Sequence, residues 1–269
     1  MGSWPKVRPR RIRVITMDVT GTLVSFRGSL EEHYLGAAKK CGVELSADDD
    51  VSYDFAQAFR RAYEETSMEF PCFGGNDLSA KEWWRLCVLR SFDLAGFLLT
   101  PEQKDMVFQR IYSTFGGHAA YEMFDDTLPF LSWAKRHNLV CGVLSNADER
   151  YGDSILPMLG MTPDELQMQC YSKDFGMEKP DARFFLSAMK RATPWLRSQD
   201  ELLPSEVLHI GNDYKKDFEG ARRAGMHAVL LDRYNQVELS AEWRRRGAQV
   251  FNDLIDIVEF LGRSHCEFG

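Results

Sequence analysis

Several short runs carry side chains that could do chemistry together. Arg13-Val14-Ile15-Thr16-Met17 is an apolar, β-branched stretch that delivers Asp18 to a tight turn, Val19-Thr20-Gly21-Thr22-Leu23. A second apolar run, Val143-Leu144, ends on Ser145-Asn146, and a third, Val207-Leu208-His209-Ile210, ends on Gly211-Asn212-Asp213. Between the last two, Lys179 precedes Pro180 in a loop. Ligands of open α/β sheets sit beyond the carboxyl ends of the strands. An aspartate there is a candidate nucleophile, because carboxylates form aspartyl-phosphate intermediates; the plain alternative is an aspartate that opens an ordinary turn. Brought to one sheet edge, these runs would supply a carboxylate nucleophile, a hydroxyl, an ammonium, and acids for a cation. Phosphoryl transfer needs that set, since positioning and charge neutralisation do most of its work. A magnesium ion takes oxygen ligands, typically one or two carboxylates with water and phosphate oxygens.

The elements that must position these groups can be read from pattern. From Asp125 onward helical and strand signals alternate, with strands at 139–144, 167–171, 207–210 and 227–231. Helices are predicted at 126–137, to about Leu159, to Arg191, at 214–224 and at 252–261, the last stopped by Gly262. This rhythm predicts a parallel sheet with helices on both faces. Between Leu23 and about Gly117 the signals are helical throughout. Ser29 caps one helix, Asp50 to Met68 shows helical spacing, Ser79 with Glu82 forms a capping box, and Thr100-Pro101-Glu102 opens another helix. This block has the character of a helical insertion. In it, Trp83 and Trp84 cannot share one narrow helix face, so one packs inside and the other faces a site mouth. Phe70 to Asp77 is a Gly-rich loop, either a lid or a surface connection. Asp48-Asp49-Asp50 reads as a solvated turn and Arg244-Arg245-Arg246 as a solvated helix end.

The 269 residues are 44% hydrophobic and 27% charged, a globular composition, with a net charge of −7. Such a chain has no general attraction for nucleic acid or anionic membranes, so an anionic substrate needs a local basic site. The six cysteines form no CxxC pair, which predicts free thiols in a reducing, intracellular compartment, most simply the cytoplasm. The six histidines show no metal-binding spacing, and His209 belongs to the core or to the support of the site. No apolar run approaches the roughly 20 residues of a membrane span. The basic start reads as a short solvated tail, with organellar targeting the alternative. Oligomeric state is not legible.

Taken in order, the runs resemble the haloacid dehalogenase superfamily over nearly the whole chain. Its first motif matches Asp18-Val19-Thr20-Gly21-Thr22, its second Val143-Leu144-Ser145-Asn146, its third Lys179-Pro180, and its fourth Gly211-Asn212-Asp213 through Asp217. The Trp83-Trp84 pair ahead of Phe92-Asp93-Leu94-Ala95-Gly96 also resembles one branch of it. The resemblance implies a Rossmann-like, three-layer α/β core over 1–26 and 117–269, with a helical cap over 27–116. It implies Asp18 as nucleophile, Ser145 as hydrogen-bond donor to the phosphoryl group, and Lys179 as the neutralising charge. Gly21, Thr22 and Asn146 would contact substrate. Magnesium would be held by Asp18, the Thr20 carbonyl and the fourth motif, where Asn212, Asp213 and Asp217 are candidates.

Two positions depart from the pattern. Thr20 stands where related phosphatases carry a second aspartate that protonates the leaving alcohol and then activates water. Losing such a group typically costs about 10²–10⁴ in rate. Asn212 stands where the fourth motif has its first aspartate. The sequence therefore supports a magnesium-dependent phosphatase of a small phosphorylated metabolite, slow or restricted to good leaving groups. The alternatives are a catalytically weak binding or regulatory protein of the same fold and a 2-haloacid dehalogenase.

Overall fold

The computed structural model describes residues 12–44, 50–198 and 200–265. The basic start, the turn at Asp48-Asp49 and Cys266 lie outside the described residues. In chain order the elements are β1 (Val14–Met17), β2 (Val24–Phe26), α1 (Leu30–Lys40), α2 (Asp50–Glu69), α3 (Ala80–Leu94), α4 (Pro101–Thr114) and β3 (Tyr121–Met123). Then follow α5 (Thr127–Arg136), β4 (Val140–Ser145), α6 (Leu156–Met158), β5 (Met168–Tyr171), α7 (Ser172–Phe175) and α8 (Ala182–Ala192). The chain ends in β6 (Val207–Gly211), α9 (Gly220–Arg223), β7 (His227–Leu231), α10 (Val237–Arg245), β8 (Val250–Phe251) and α11 (Leu254–His265).

Six strands form a parallel sheet in the order β5-β4-β1-β6-β7-β8. Every residue of β1, β4 and β6 is buried, the pattern of strands covered on both faces. On one face Ile15 and Met17 pack with Phe130, Leu131 and Ile257 of α5 and α11. On the other, Val14, Val140 and Leu144 pack with Phe184, Phe185 and Ala188 of α8. From β1 the sheet grows in both directions, so the crevice of a topological switch point opens at the carboxyl end of β1, where Asp18 sits.

Three details differ from the sequence pattern, one of them the two-residue edge strand β8, too short to show a period. The segment after Leu23 is not helical at once: β2 pairs antiparallel with β3, Val24 opposite Met123, as a ribbon where the chain leaves the sheet domain and returns. A three-residue strand is too short to show a period. Its partner is also remote, as the bond between Ser25 and Glu122 across 97 residues shows. The last helix also continues through Gly262 to His265. Gly262 does not take the left-handed backbone conformation that would stop it.

Between β2 and β3, helices α1 to α4 build the helical insert. The reciprocal bonds between Ser29 and Glu32, and between Ser79 and Glu82, fix the starts of α1 and α3. Trp83 is 1% exposed in the interior of the insert and donates its Nε1–H to the Phe70 carbonyl at 2.8 Å. Trp84 instead reaches the sheet domain, its Nε1–H donating to Asp148 Oδ2 at 2.6 Å. Arg150 holds the same carboxylate through Nε and Nη2 (2.9 and 2.8 Å) and lies over the Tyr112 and Trp84 rings at 4.4 and 5.3 Å. The 70–77 loop is a packed connection with Cys72, Phe73 and Gly74 buried, and Lys173 of α7 donates to the carbonyls of Gly75 and Leu78.

Burial pushes the Asp148 carboxyl upward, but its bonds to Arg150, the Arg150 charge and the Trp84 bond outweigh it, and the net shift is downward. The depressed pKa makes the contribution of Asp148 to stability complete above its unfolded pKa of about 3.9 and lost as pH falls toward the folded value. Asp148→Asn leaves the Arg150 charge without its partner, and we expect a cost of about 3 kcal/mol at neutral pH. Urea denaturation should show the gap between wild type and variant at pH 7 and a smaller one at pH 3. An equal gap at both would contradict the assignment. No helix among the described residues is long and apolar enough to cross a membrane.

Candidate active site

Asp18 stays in register with the sheet because its N–H donates to the Ile210 carbonyl of β6 at 2.9 Å. The chain then folds tightly: the N–H groups of Thr22, Leu23 and Val24 all donate to the Val19 carbonyl, at 3.2, 2.8 and 3.1 Å. Gly21 has φ +79, and a Cβ there would lie 2.0 Å from Asn212 Nδ2, so only glycine lets the two loops meet.

Ser145, the last residue of β4, donates its hydroxyl to Asp18 Oδ1 at 2.9 Å. Lys179 Nζ donates to the same oxygen at 2.7 Å and to Asp217 Oδ1 at 2.6 Å. None of these bonds engages Asp18 Oδ2, and the Asp18 side chain is 13% exposed. The sheet edge thus brings together Asp18, Ser145 and Lys179, the groups expected to act at the phosphoryl centre.

Other predicted residues take different places. The Asn146 amide is spent on the Lys179 backbone, accepting its N–H at 2.7 Å and donating to its carbonyl at 2.9 Å. It positions Lys179 where a substrate contact was expected. Thr22 is fully buried with its hydroxyl unpartnered, so its side chain does not face a ligand. Asp213 uses Oδ1 to accept the Lys216 N–H at 2.8 Å, capping the wide turn Tyr214–Glu219. Asp217 is fully engaged. Its Oδ2 accepts the N–H groups of Asn212 and Asp213 at 3.0 and 2.9 Å, and its Oδ1 accepts from Lys179 and from His209 Nε2 at 3.0 Å. Asp217 therefore holds the lysine and the loop rather than presenting an oxygen to a cation.

Burial alone would raise the Asp217 carboxyl, yet the Lys179 charge and the His209 contact hold it well below the ordinary range. Burial likewise opposes the Lys179 charge, and Asp18 and Asp217 more than restore it, raising the ammonium above its usual value. His209 is pushed down, first by burial, so it is neutral at pH 7. Its partners set the tautomer: Nε2–H donates to Asp217, and Nδ1 accepts from the Thr16 hydroxyl at 2.9 Å. Two carboxylates share one ammonium, so the cluster is anionic before any phosphate arrives. A bound phosphoryl group would need a further positive charge.

The oxygens that these hydrogen bonds leave for a cation include Asp18 Oδ2, Asp213 Oδ2, the Thr20 carbonyl and the Asn212 amide. Among the described residues no group of three acidic, histidine or cysteine side chains is arranged to hold a metal alone. The donor set is nevertheless of the right kind for magnesium, which commonly completes its shell with water and substrate phosphate.

Sequence reasoning missed Tyr151. It opens a wide turn, Tyr151–Ile155, after β4, and its hydroxyl lies 2.8 Å from Thr20 Oγ1. Burial, opposed by the Thr20 bond, keeps the phenol above its usual pKa and therefore protonated. No spacing rule links Tyr151 to Thr20 across 131 residues.

A family profile for haloacid dehalogenase-like hydrolases matches residues 12–225. A mouse relative, haloacid dehalogenase-like hydrolase domain-containing protein 3, is 31% identical over 224 residues, covering 82% of each chain. The magnesium-bound hydrolase YfnB of Bacillus subtilis superposes with a TM-score of 0.68 at 14% identity, over 94% of this chain and 100% of that one. The L-2-haloacid dehalogenase of Xanthobacter autotrophicus, with chloropropionic acid covalently bound, superposes at 0.61 and 15% identity, over 91% of this chain and 96% of that one. At these identities the structural likeness speaks for the fold alone.

Proposed function

The chain belongs to the haloacid dehalogenase-like hydrolases, and from that premise we propose that it is a magnesium-dependent phosphohydrolase working through an aspartyl phosphate on Asp18. The fold is common to a magnesium-bound hydrolase and a dehalogenase and does not choose between their chemistries. The observation that carries the reading is the Asp18 carboxylate, with Oδ1 held by Ser145 and Lys179 and Oδ2 outside those bonds, in a cluster that is already anionic. In this reading residues 27–116 are the cap over the site. Asp18, the Thr20 carbonyl and Asn212 would hold magnesium, which would supply the positive charge that the cluster lacks.

Asp18 attacks phosphorus through one carboxylate oxygen as the bond to the leaving oxygen breaks. Ser145 and Lys179 keep the carboxylate oriented, and Lys179 offsets charge on the phosphoryl oxygens. Asp217, His209 and Asn146 fix the ammonium in place. Water then attacks the phosphoryl group and Asp18 is released. Thr20 offers no carboxylate to either step, so the leaving group departs without a strong acid and water attacks without a strong base.

Slow water attack makes the second step limiting. Mixed rapidly with magnesium and para-nitrophenyl phosphate, the protein should release a burst near one nitrophenol per chain before a slow steady rate. Release equal to buffer would refute the proposal and favour a binding role. Magnesium-independent chloride release from 2-chloropropionate would favour a dehalogenase.

A further inference from the structure

A cavity of about 60 Å³ lies between the helical insert and the sheet domain, lined by Tyr34, Val88, Ile111 and Phe115 from the insert and by Tyr121 and Tyr151 from the other side. Tyr151 ties it to the catalytic loop, because its hydroxyl is 2.8 Å from Thr20 Oγ1, two positions beyond Asp18. We infer that this cavity receives the carbon chain of the leaving group, and that the substrate class is a short-chain acyl phosphate. The inference rests on the phosphoryl-transfer reading above and adds the identity of the leaving group.

Size, charge and leaving ability agree. The volume is less than half of the ~150 Å³ of an apolar cavity that binds benzene, leaving room for roughly two to four carbon atoms. The wall is mostly aromatic and aliphatic. Burial raises the phenols of Tyr34 and Tyr121, which keep their protons. Arg150 also borders the cavity, but its guanidinium is matched by Asp148 and covered by the Tyr112 ring at 4.4 Å. A sugar, a nucleoside or a second phosphate would find neither space nor a free countercharge there. A carboxylate leaving group needs no proton, since its conjugate acid has a pKa near 4. That matches a site with a threonine where an acid would stand.

The step balances without a proton donor. A carboxylate oxygen of Asp18 bonds to phosphorus, the bond from phosphorus to the acyl oxygen breaks, and its electron pair leaves as a carboxylate. Water then bonds to phosphorus, the bond from phosphorus to the Asp18 carboxylate oxygen breaks, and phosphate and a proton are released.

The test is kcat/KM for acetyl, propionyl, butyryl and hexanoyl phosphate, together with the thermal stabilisation given by methyl to hexyl phosphonates, which cannot turn over. Wild type should peak at three to four carbons and fall about tenfold by hexanoyl. Ile111→Ala should move both optima to longer chains, and the milder Ile111→Val should move them the same way by less, which guards against loss of folding in the first variant. A flat chain-length profile, or optima that neither variant moves, would overturn the assignment. If no phosphate is released from any acyl phosphate, the phosphoryl-transfer reading fails. The phosphonate series still decides the cavity, with a peak at short chains supporting an apolar subsite and a flat series overturning it.

Discussion

Asp18→Asn should give a folded protein that loses phosphate release by a factor on the order of 10⁴ or more. Asparagine has the same shape as aspartate. Its side-chain oxygen can still accept from Ser145 and from Lys179, which hold the native Oδ1 at 2.9 and 2.7 Å. Lys179 also keeps Asp217 at 2.6 Å, so the buried ammonium retains a full countercharge. The variant removes one of two carboxylates that share that ammonium, and with Asp217 still in place stability should stay near that of wild type. What disappears is the nucleophile, because a neutral amide oxygen is too weak a nucleophile to form the aspartyl-phosphate type of intermediate. Burst amplitude and steady rate should both vanish while the urea midpoint stays within error of wild type. Residual activity above about 1% with an unchanged burst would mean that another group attacks phosphorus.

Thr20→Asp should act in the opposite direction, raising turnover of phosphate esters with poor leaving groups by about 10²-fold, within the usual 10²–10⁴ range of a positioned acid–base group. The structure supplies a mount for the new carboxyl. The Tyr151 hydroxyl, 2.8 Å from Thr20 Oγ1, keeps its proton and can donate to a carboxylate oxygen. The neighbouring Asp18 carboxylate disfavours a second negative charge and so pushes the new group toward the protonated form needed to release an alcohol. Acyl phosphates should gain little in the first step, since their leaving groups need no proton. The measurement is the dependence of kcat/KM on leaving-group pKa over a series of aryl and alkyl phosphates, which should be steep in wild type and shallow in Thr20→Asp. A slope that does not change would place the limit elsewhere, with Asn212 the next residue to test.

Much of the core was legible because it obeys local rules. The continuous apolar runs of β1, β4 and β6 mark strands buried on both faces, and each hands a polar residue to the same sheet edge. A cap residue, Ser29, marked the start of α1 and a capping box the start of α3. The β2–β3 ribbon escaped because each strand has three residues and its partner lies far along the chain. The roles within the fourth run escaped for a different reason. Asp213 and Asp217 are equally plausible cation ligands in a linear reading. Only the fold shows one capping a turn and the other wedged between Lys179, His209 and two backbone amides.

By itself the sequence determined that the chain alternates strands and helices around a helical insert, and that Asp18, Ser145 and Lys179 stand at strand ends or in a loop where they can meet. Strand ends and caps depend on neighbours a few residues away, so they are written in the order of residues. Tertiary structure decided which oxygen meets which donor. Parallel register joins Ser145 to Asp18 across 127 residues and Lys179 to Asp18 across 161. It also set Tyr151 against Thr20 and Trp84 against Asp148, contacts that no local periodicity encodes. A hydrogen bond is fixed by tenths of an ångström between segments remote in the chain, and that precision arises only when the core packs.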